Sequence, residues 1–272
     1  MKVTLLKVLF FILISLQSLS SQIAGVSGTK LTTFTPVPIP KETVEFEPTF
    51  NVNRSSGFWE RGNYIGSDSI DIASNLSWRV TYGLSDKVEL GMNFQSDVAF
   101  ANFDFKAHIL EAGKFDFGVL GGVGVPLGNR SFSNLAPGID DVSNYTVGLM
   151  IAYELDTLNS IDFNFQVTDF FRDAFTPGNN ITDPQRLTGT TYNFNIEYGT
   201  YQVVDKIQLM TGLGYFTTTI DDFWEAALFA IGGVAFELYN DYVLVFGATY
   251  TLLGKNQPRT LGLGFSFTTV WD

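Results

Sequence analysis

A single histidine, His108, closes a row in which Asp104, Lys106 and His108 recur at every second position. Alternate residues of an extended chain share a face, so a carboxylate, an ammonium and an imidazole meet on one side of one strand. The row can be read as a general base with its orienting acid, or as a polar wall of mixed charge. A base must reach a nucleophile, and no Gly-Xaa-Ser-Xaa-Gly elbow occurs in the chain. Hydrophobic Phe103, Phe105, Ala107 and Ile109 take the opposite face, which sends His108 away from any lipid that it would have to hydrolyse. Other oxygen-rich spots are weaker. Asp140-Asp141 and Asp221-Asp222 are adjacent pairs, without the spaced oxygen ligands that calcium needs. Gly121-Gly122-Val123-Gly124 and Gly232-Gly233 precede no helical pattern, so they are not phosphate cradles and serve instead to relieve crowding and permit bends. Cysteine is absent, which removes disulfides and thiolate metal sites. These residues predict no enzyme, no metal and no cofactor.

The same alternation fills the chain. In the run from Leu76 to Phe94, Leu76, Trp78, Val80, Tyr82, Val88, Leu90, Met92 and Phe94 form one face, while Ser77, Arg79, Thr81, Glu89, Gly91 and Asn93 form the other, about a turn at Gly83 to Lys87. Symmetry about Leu84 and Ser85 would set Arg79 opposite or diagonal to Glu89. Equivalent runs give twelve strands in all, beginning with Val44 to Val52 and ending with 225–239, 241–254 and 259–271. Long loops are expected at Gly128 to Asp141 and Arg172 to Leu187, and further longer loops around Phe58 to Tyr64 and at Gly254 to Pro258, all at one end; tight turns such as Thr157-Leu158-Asn159 and Tyr239-Asn240-Asp241 lie at the other. That asymmetry belongs to membrane barrels. The reading is therefore an all-β, transmembrane, up-and-down antiparallel β-barrel of about twelve strands with both termini periplasmic.

Composition agrees. Charged residues make up 16% of the chain and aromatics 15%, against about 25% charged in an ordinary soluble domain. After the N-terminus no apolar run approaches the roughly 20 residues of a membrane helix. Lys2 and Lys7 flank the start of the apolar run Val8 to Leu16, followed by Ser18 and Ser20, the form of an export signal cleaved after residue 20. Its removal moves the net charge from −12 to −14, which repels phosphate backbones and argues against nucleic acid. Outer-membrane localisation follows, with lipid, small solutes and the barrel-assembly machinery as partners of a monomer. Phe265, Phe267 and Trp271 form the aromatic ending that this machinery reads, although Asp272 follows them.

Residues 21–42 carry Thr32, Thr33 and Thr35, then Pro36, Pro38 and Pro40. Alternate prolines remove ladder donors, so this is an irregular lead-in to the barrel of residues 43–272, with two fates open: a spacer outside the barrel or a partial plug within it. Tyr82, Phe115, Tyr153, Tyr198, Tyr239, Tyr242 and Trp271 fall at the periplasmic strand ends, as an aromatic girdle should. The candidate lumen wall comprises Arg79, Glu89, Asp104, Lys106, His108, Asp162, Asn164, Asn195 and Glu197, with Phe229 and Ile231 belonging to an apolar stripe on the tenth and eleventh strands. A water-filled pore has no use for that stripe. It suits either a packed plug or a hydrophobic solute.

The segment Trp78-Arg79-Val80-Thr81-Tyr82-Gly83-Leu84-Ser85-Asp86-Lys87-Val88-Glu89-Leu90-Gly91 resembles a hairpin of the outer-membrane transporters of the phenol-degradation meta-pathway family. The resemblance implies a barrel that imports hydrophobic or aromatic small molecules, akin to the long-chain fatty-acid transporter, and supplies no binding motif. The expected function is thus a channel or transporter for such solutes. A structural or adhesive barrel with a closed lumen and partner-binding loops is the alternative.

Overall fold

A computed structural model describes residues 31–60, 62–95, 100–127, 143–170, 190–204, 206–220, 223–239 and 242–271. The expected signal segment, both long loops, Asp140-Asp141 and Asp221-Asp222 lie outside them. Twelve strands follow in order: β1 Val44–Glu60, β2 Asn63–Ser85, β3 Val88–Gln95, β4 Phe100–Ala112, β5 Phe115–Pro126, β6 Asn144–Asp156, β7 Asn159–Phe170, β8 Thr190–Val204, β9 Ile207–Ile220, β10 Phe223–Tyr239, β11 Tyr242–Lys255 and β12 Gln257–Trp271. Each pairs antiparallel with its sequence neighbour, and β1 pairs with β12 to close the barrel. Closure leaves no strand edge, the condition for a sheet to sit in hydrocarbon.

Parity decides which side meets lipid. Phe103, Phe105, Val147, Leu149, Leu213 and Leu263 are exposed on the outside, whereas Lys106, Asp162, Asn164 and Glu197 are buried within. An outward apolar band around a polar interior reverses the arrangement of a soluble barrel and is that of an outer-membrane protein. Val44 and Trp271 are register partners, so both ends of the barrel chain lie at one rim. There Tyr82, Phe115, Tyr242 and Trp271 are exposed, Phe115 and Tyr153 rings lie 4.5 Å apart, and Tyr242 packs on Phe267 at 5.8 Å. Tyr198 instead donates to Asn159 Oδ1 at 2.6 Å. In the turn after β6, the Leu158 N–H and the Asn159 amide hold the Asp156 carboxyl below its ordinary range.

Three expectations need correction. The loop expected around Phe58 to Tyr64 continues β1 and β2, which pair as far as Glu60 and Asn63. Gly57 and Gly62 have φ of 71° and 90°, values that side chains disfavour. One allows a bulge and the other the hairpin turn, so the strands stay paired. Likewise Gly254 to Pro258 is no longer loop: β11 and β12 run to Lys255 and from Gln257, with Asn256 at φ 54° between them, a conformation asparagine tolerates. The first hairpin turns at Asp86-Lys87, with Ser85 opposite Val88 and a bulge after Gly83. That shift sets Arg79 opposite Asn93 and Gly83 opposite Glu89, so the expected Arg79–Glu89 pairing does not form.

Candidate functional site

The inward face sorts its charges into two pairs across β2, β3 and β4. Arg79 grips Asp104 with two parallel hydrogen bonds of 2.9 and 2.8 Å. Gly91 stands between their strands, and a Cβ there would press on both the Asp104 carboxylate and the Arg79 guanidinium. Lys106 lies 3.2 Å from Glu89, whose side chain is 0% exposed. His108 Nε2 meets Asp116 Oδ1 at 3.0 Å across β4 and β5. Asp162 stands opposite Glu197, and Asn164 opposite Asn195, across β7 and β8.

Residues 31–43 run across this interior, and the wall side chains match their backbone. The Glu197 carboxylate accepts Leu31 N–H at 2.8 Å, Thr32 N–H at 2.6 Å and the Thr32 hydroxyl. Asn164 accepts from Phe34 N–H and returns its amide to Phe34 O at 2.8 Å. Lys106 donates to Val37 O at 2.9 Å, and Glu89 accepts Ile39 N–H at 2.9 Å. At the rim Glu42 N–H donates to Gly83 O at 2.7 Å, and Gly83 N–H donates to Thr43 O at 3.0 Å. A buried backbone must satisfy every polar group. Pro36, Pro38 and Pro40 have no N–H to satisfy, so along 35–40 the alternate prolines halve the number of backbone donors that the wall must meet.

Shape completes the fit. Leu31 is buried with Met210, Ile231, Ala235 and Val245, with Phe229 and Val243 packed against them. Inward glycines make the room: a Cβ on Gly233 would lie 2.6 Å from Leu31 Cδ1, one on Gly247 2.9 Å from Leu31 Cδ2, and one on Gly118 3.1 Å from Pro36 Cα. The Arg79 guanidinium lies 5.7 Å from the centre of the Phe34 ring, a cation–π distance. The apolar stripe on β10 and β11 is therefore filled by a residue of the chain itself.

Sequence reasoning named most of this wall but missed Glu45 and Glu47, both buried on β1. Glu47 accepts from Thr49 at 3.1 Å and from Thr268 at 3.5 Å. It also missed Leu31, Phe34 and Ile39 as the parts that the wall holds. The alternate prolines were the signal for them.

The chain has no cysteine, so Leu31→Cys gives a unique reporter of this packing. Its alkylation by a water-soluble maleimide is expected to be slow, and to accelerate about tenfold or more when Gly233→Val is added, since the valine takes the space of the residue-31 side chain and favours the open form. Equal rates would show that Gly233 does not make room for the segment.

A closed barrel with a lipid-facing apolar band and a charged interior defines a transmembrane β-barrel of the outer-membrane type. No protein-family model matches the chain, and no curated protein matches it. Among solved structures it is similar to an outer-membrane channel from Pseudomonas putida F1, with a TM-score of 0.63, 14% identity, and 86% of this chain and 97% of that one covered. It is also similar to the KdgM porin solved with oligogalacturonate, with a TM-score of 0.51, 7% identity and coverage of 85% and 99%. The NanC porin gives a TM-score of 0.51, 8% identity and coverage of 81% and 98%. These likenesses establish the architecture.

Proposed function

We infer that this barrel is a channel for small hydrophobic or aromatic solutes, regulated by the segment that crosses its lumen, with no enzymatic activity of its own. The observation that carries the reading is the pocket around Leu31, where Met210, Phe229, Ile231, Ala235 and Val245 form an apolar site on an otherwise charged wall. A wall that only held a permanent plug could do so by hydrogen bonds alone. An apolar pocket occupied by a single leucine is also a place where a solute of similar size can compete. Arg79, Glu89, Asp104, Lys106, His108, Asp162, Asn164, Asn195 and Glu197 would line the route, and Phe229 and Ile231 would supply its weak binding step. Export by cleavage after residue 20, insertion by the barrel-assembly machinery and a monomeric state belong to the same proposal.

The filled lumen also favours a second reading, a closed structural or adhesive barrel. Liposome swelling separates them. Vesicles carrying the protein are placed in isotonic solutions of a small aromatic alcohol or of a sugar alcohol of similar size, with empty vesicles supplying the background permeation. The channel reading expects faster protein-dependent entry of the aromatic. Equal rates would remove the hydrophobic preference, and no protein-dependent entry of either would leave the closed barrel.

A further inference from the structure

Cations gather on the outside of the barrel, at the rim opposite the two termini. Arg259 shares its face of β12 with Leu261, Leu263 and Phe265, all exposed. Its guanidinium lies 4.9 Å from the centre of the Tyr64 ring and 5.4 Å from that of Tyr250. Lys255 Nζ lies 3.5 Å over the ring of Trp224. Arg54 is exposed on β1, opposite Leu261 on one side and Ile72 on the other. Tyr64, Tyr250 and Trp224 are themselves exposed. Among the described residues no carboxylate lies within ion-pair distance of Arg54, Lys255 or Arg259. Arg259 Nε is buried and has no hydrogen-bond partner.

Height fixes what these groups meet. Arg259 and Trp271 occupy opposite ends of the 15-residue β12. At a rise of about 3.3 Å per residue and a tilt near 40°, they are roughly 30 Å apart along the barrel axis, one hydrocarbon thickness. With Trp271 at the periplasmic interface, the cations lie at the outer headgroup level. The chain as a whole is strongly acidic, with 28 Asp and Glu against 16 Lys and Arg, so this cluster is a local reversal of sign. A guanidinium held between two rings and partly stripped of water has a desolvation cost that an anion would offset. Such an anion must come from the lipid side, because that is where the face points.

We propose that Arg54, Lys255 and Arg259 bind the phosphate groups of a phosphorylated glycolipid in the outer leaflet, while Tyr64, Tyr250 and Trp224 pack against the boundary between its sugars and acyl chains. Interfacial aromatics suit that boundary because their rings are amphipathic. A free phosphate would bring the charge but nothing for the rings to cover.

The test titrates the full-length barrel in detergent with fluorescent diphosphorylated lipid A. Combining R54Q, K255Q and R259Q is expected to weaken binding about tenfold or more, through loss of charge-assisted contacts. R259K should fall between wild type and R259Q, because an ammonium keeps the charge but not the stacked plane. Dephosphorylated lipid A should bind wild type and the triple variant equally weakly. Unchanged heat-modifiable gel mobility shows that a variant is closed; should the triple variant fail to close, R259Q alone is measured and is expected to lose about threefold. The proposal is overturned if the closed variant binds as wild type does, if dephosphorylated lipid binds as tightly as phosphorylated lipid, or if micromolar pyrophosphate displaces the lipid, which would mark an anion site open to water.

Discussion

Deleting residues 21–42 is expected to raise single-channel conductance in a planar bilayer on the order of tenfold, because twelve tilted strands enclose a backbone cylinder only about 24 Å wide. Inward side chains take several ångströms from each wall, so one extended chain across the middle occupies most of what remains. Where the segment meets the wall it covers it closely, since Glu89 and Glu197 are both 0% exposed. The deletion also leaves behind the groups that held the segment. Glu197 would lose the Leu31 and Thr32 donors, and Glu89 would lose Ile39 N–H. Their carboxylates would then face water beside Asp162, Glu45 and Glu47, with Arg79 and Lys106 as the opposing charges. Such a wall selects cations, so the reversal potential in a salt gradient should move toward the cation value. Unchanged current would mean that the segment does not limit the pore, and a shift toward anions would mean that the wall is wrongly assigned.

The legible part of this molecule was what a period of two reports. Parity placed Asp104, Lys106, Asp162, Asn164 and Glu197 inside and Phe103, Phe105 and Leu149 outside, because on a barrel each strand has one wet and one greasy side. Strand number was legible for the same reason. Partners were not. Arg79 was matched to Glu89 by assuming a symmetric turn, yet the chain turned at Asp86-Lys87, and every cross-strand neighbour moved with it. Register depends on turn geometry, which a five-residue polar stretch leaves open. Hairpin length was also hidden. Tyr64 looked like loop composition, yet its ring packs 5.3 Å from Trp59 and its hydroxyl donates to Ser56 O, contacts that exist only once β1 and β2 extend. The crossing segment shows no strand-like alternation of apolar and polar side chains, since side chains of the wall rather than a ladder satisfy it. Only its missing donors marked it.

The two ion pairs of the wall should respond very differently to losing their cations. Lys106→Met leaves Glu89 buried with Ile39 N–H still donating to it but without its counter-charge, a loss of about 3–5 kcal/mol. Arg79→Met leaves Asp104 without its two charge-assisted bonds, but the Asp104 side chain is 23% exposed and can recruit water, so the loss should be nearer 1.5 kcal/mol. Reversible urea unfolding in lipid vesicles reads both. The double substitution Glu89→Gln with Lys106→Met is the sharper measurement. It removes the stranded charge, and most of the Lys106→Met loss should return, although Val37 O still lacks the donor that Lys106 supplied. Stability and current then separate: the double variant should be nearly as stable as wild type while its segment, short of one anchor, opens more often and gives a noisier pore. If the double variant stays as unstable as Lys106→Met alone, Lys106 stabilises the barrel through its bond to the segment rather than through Glu89. In that case barrel stability and lumen occupancy are one property, and no substitution on this wall can change the second without the first.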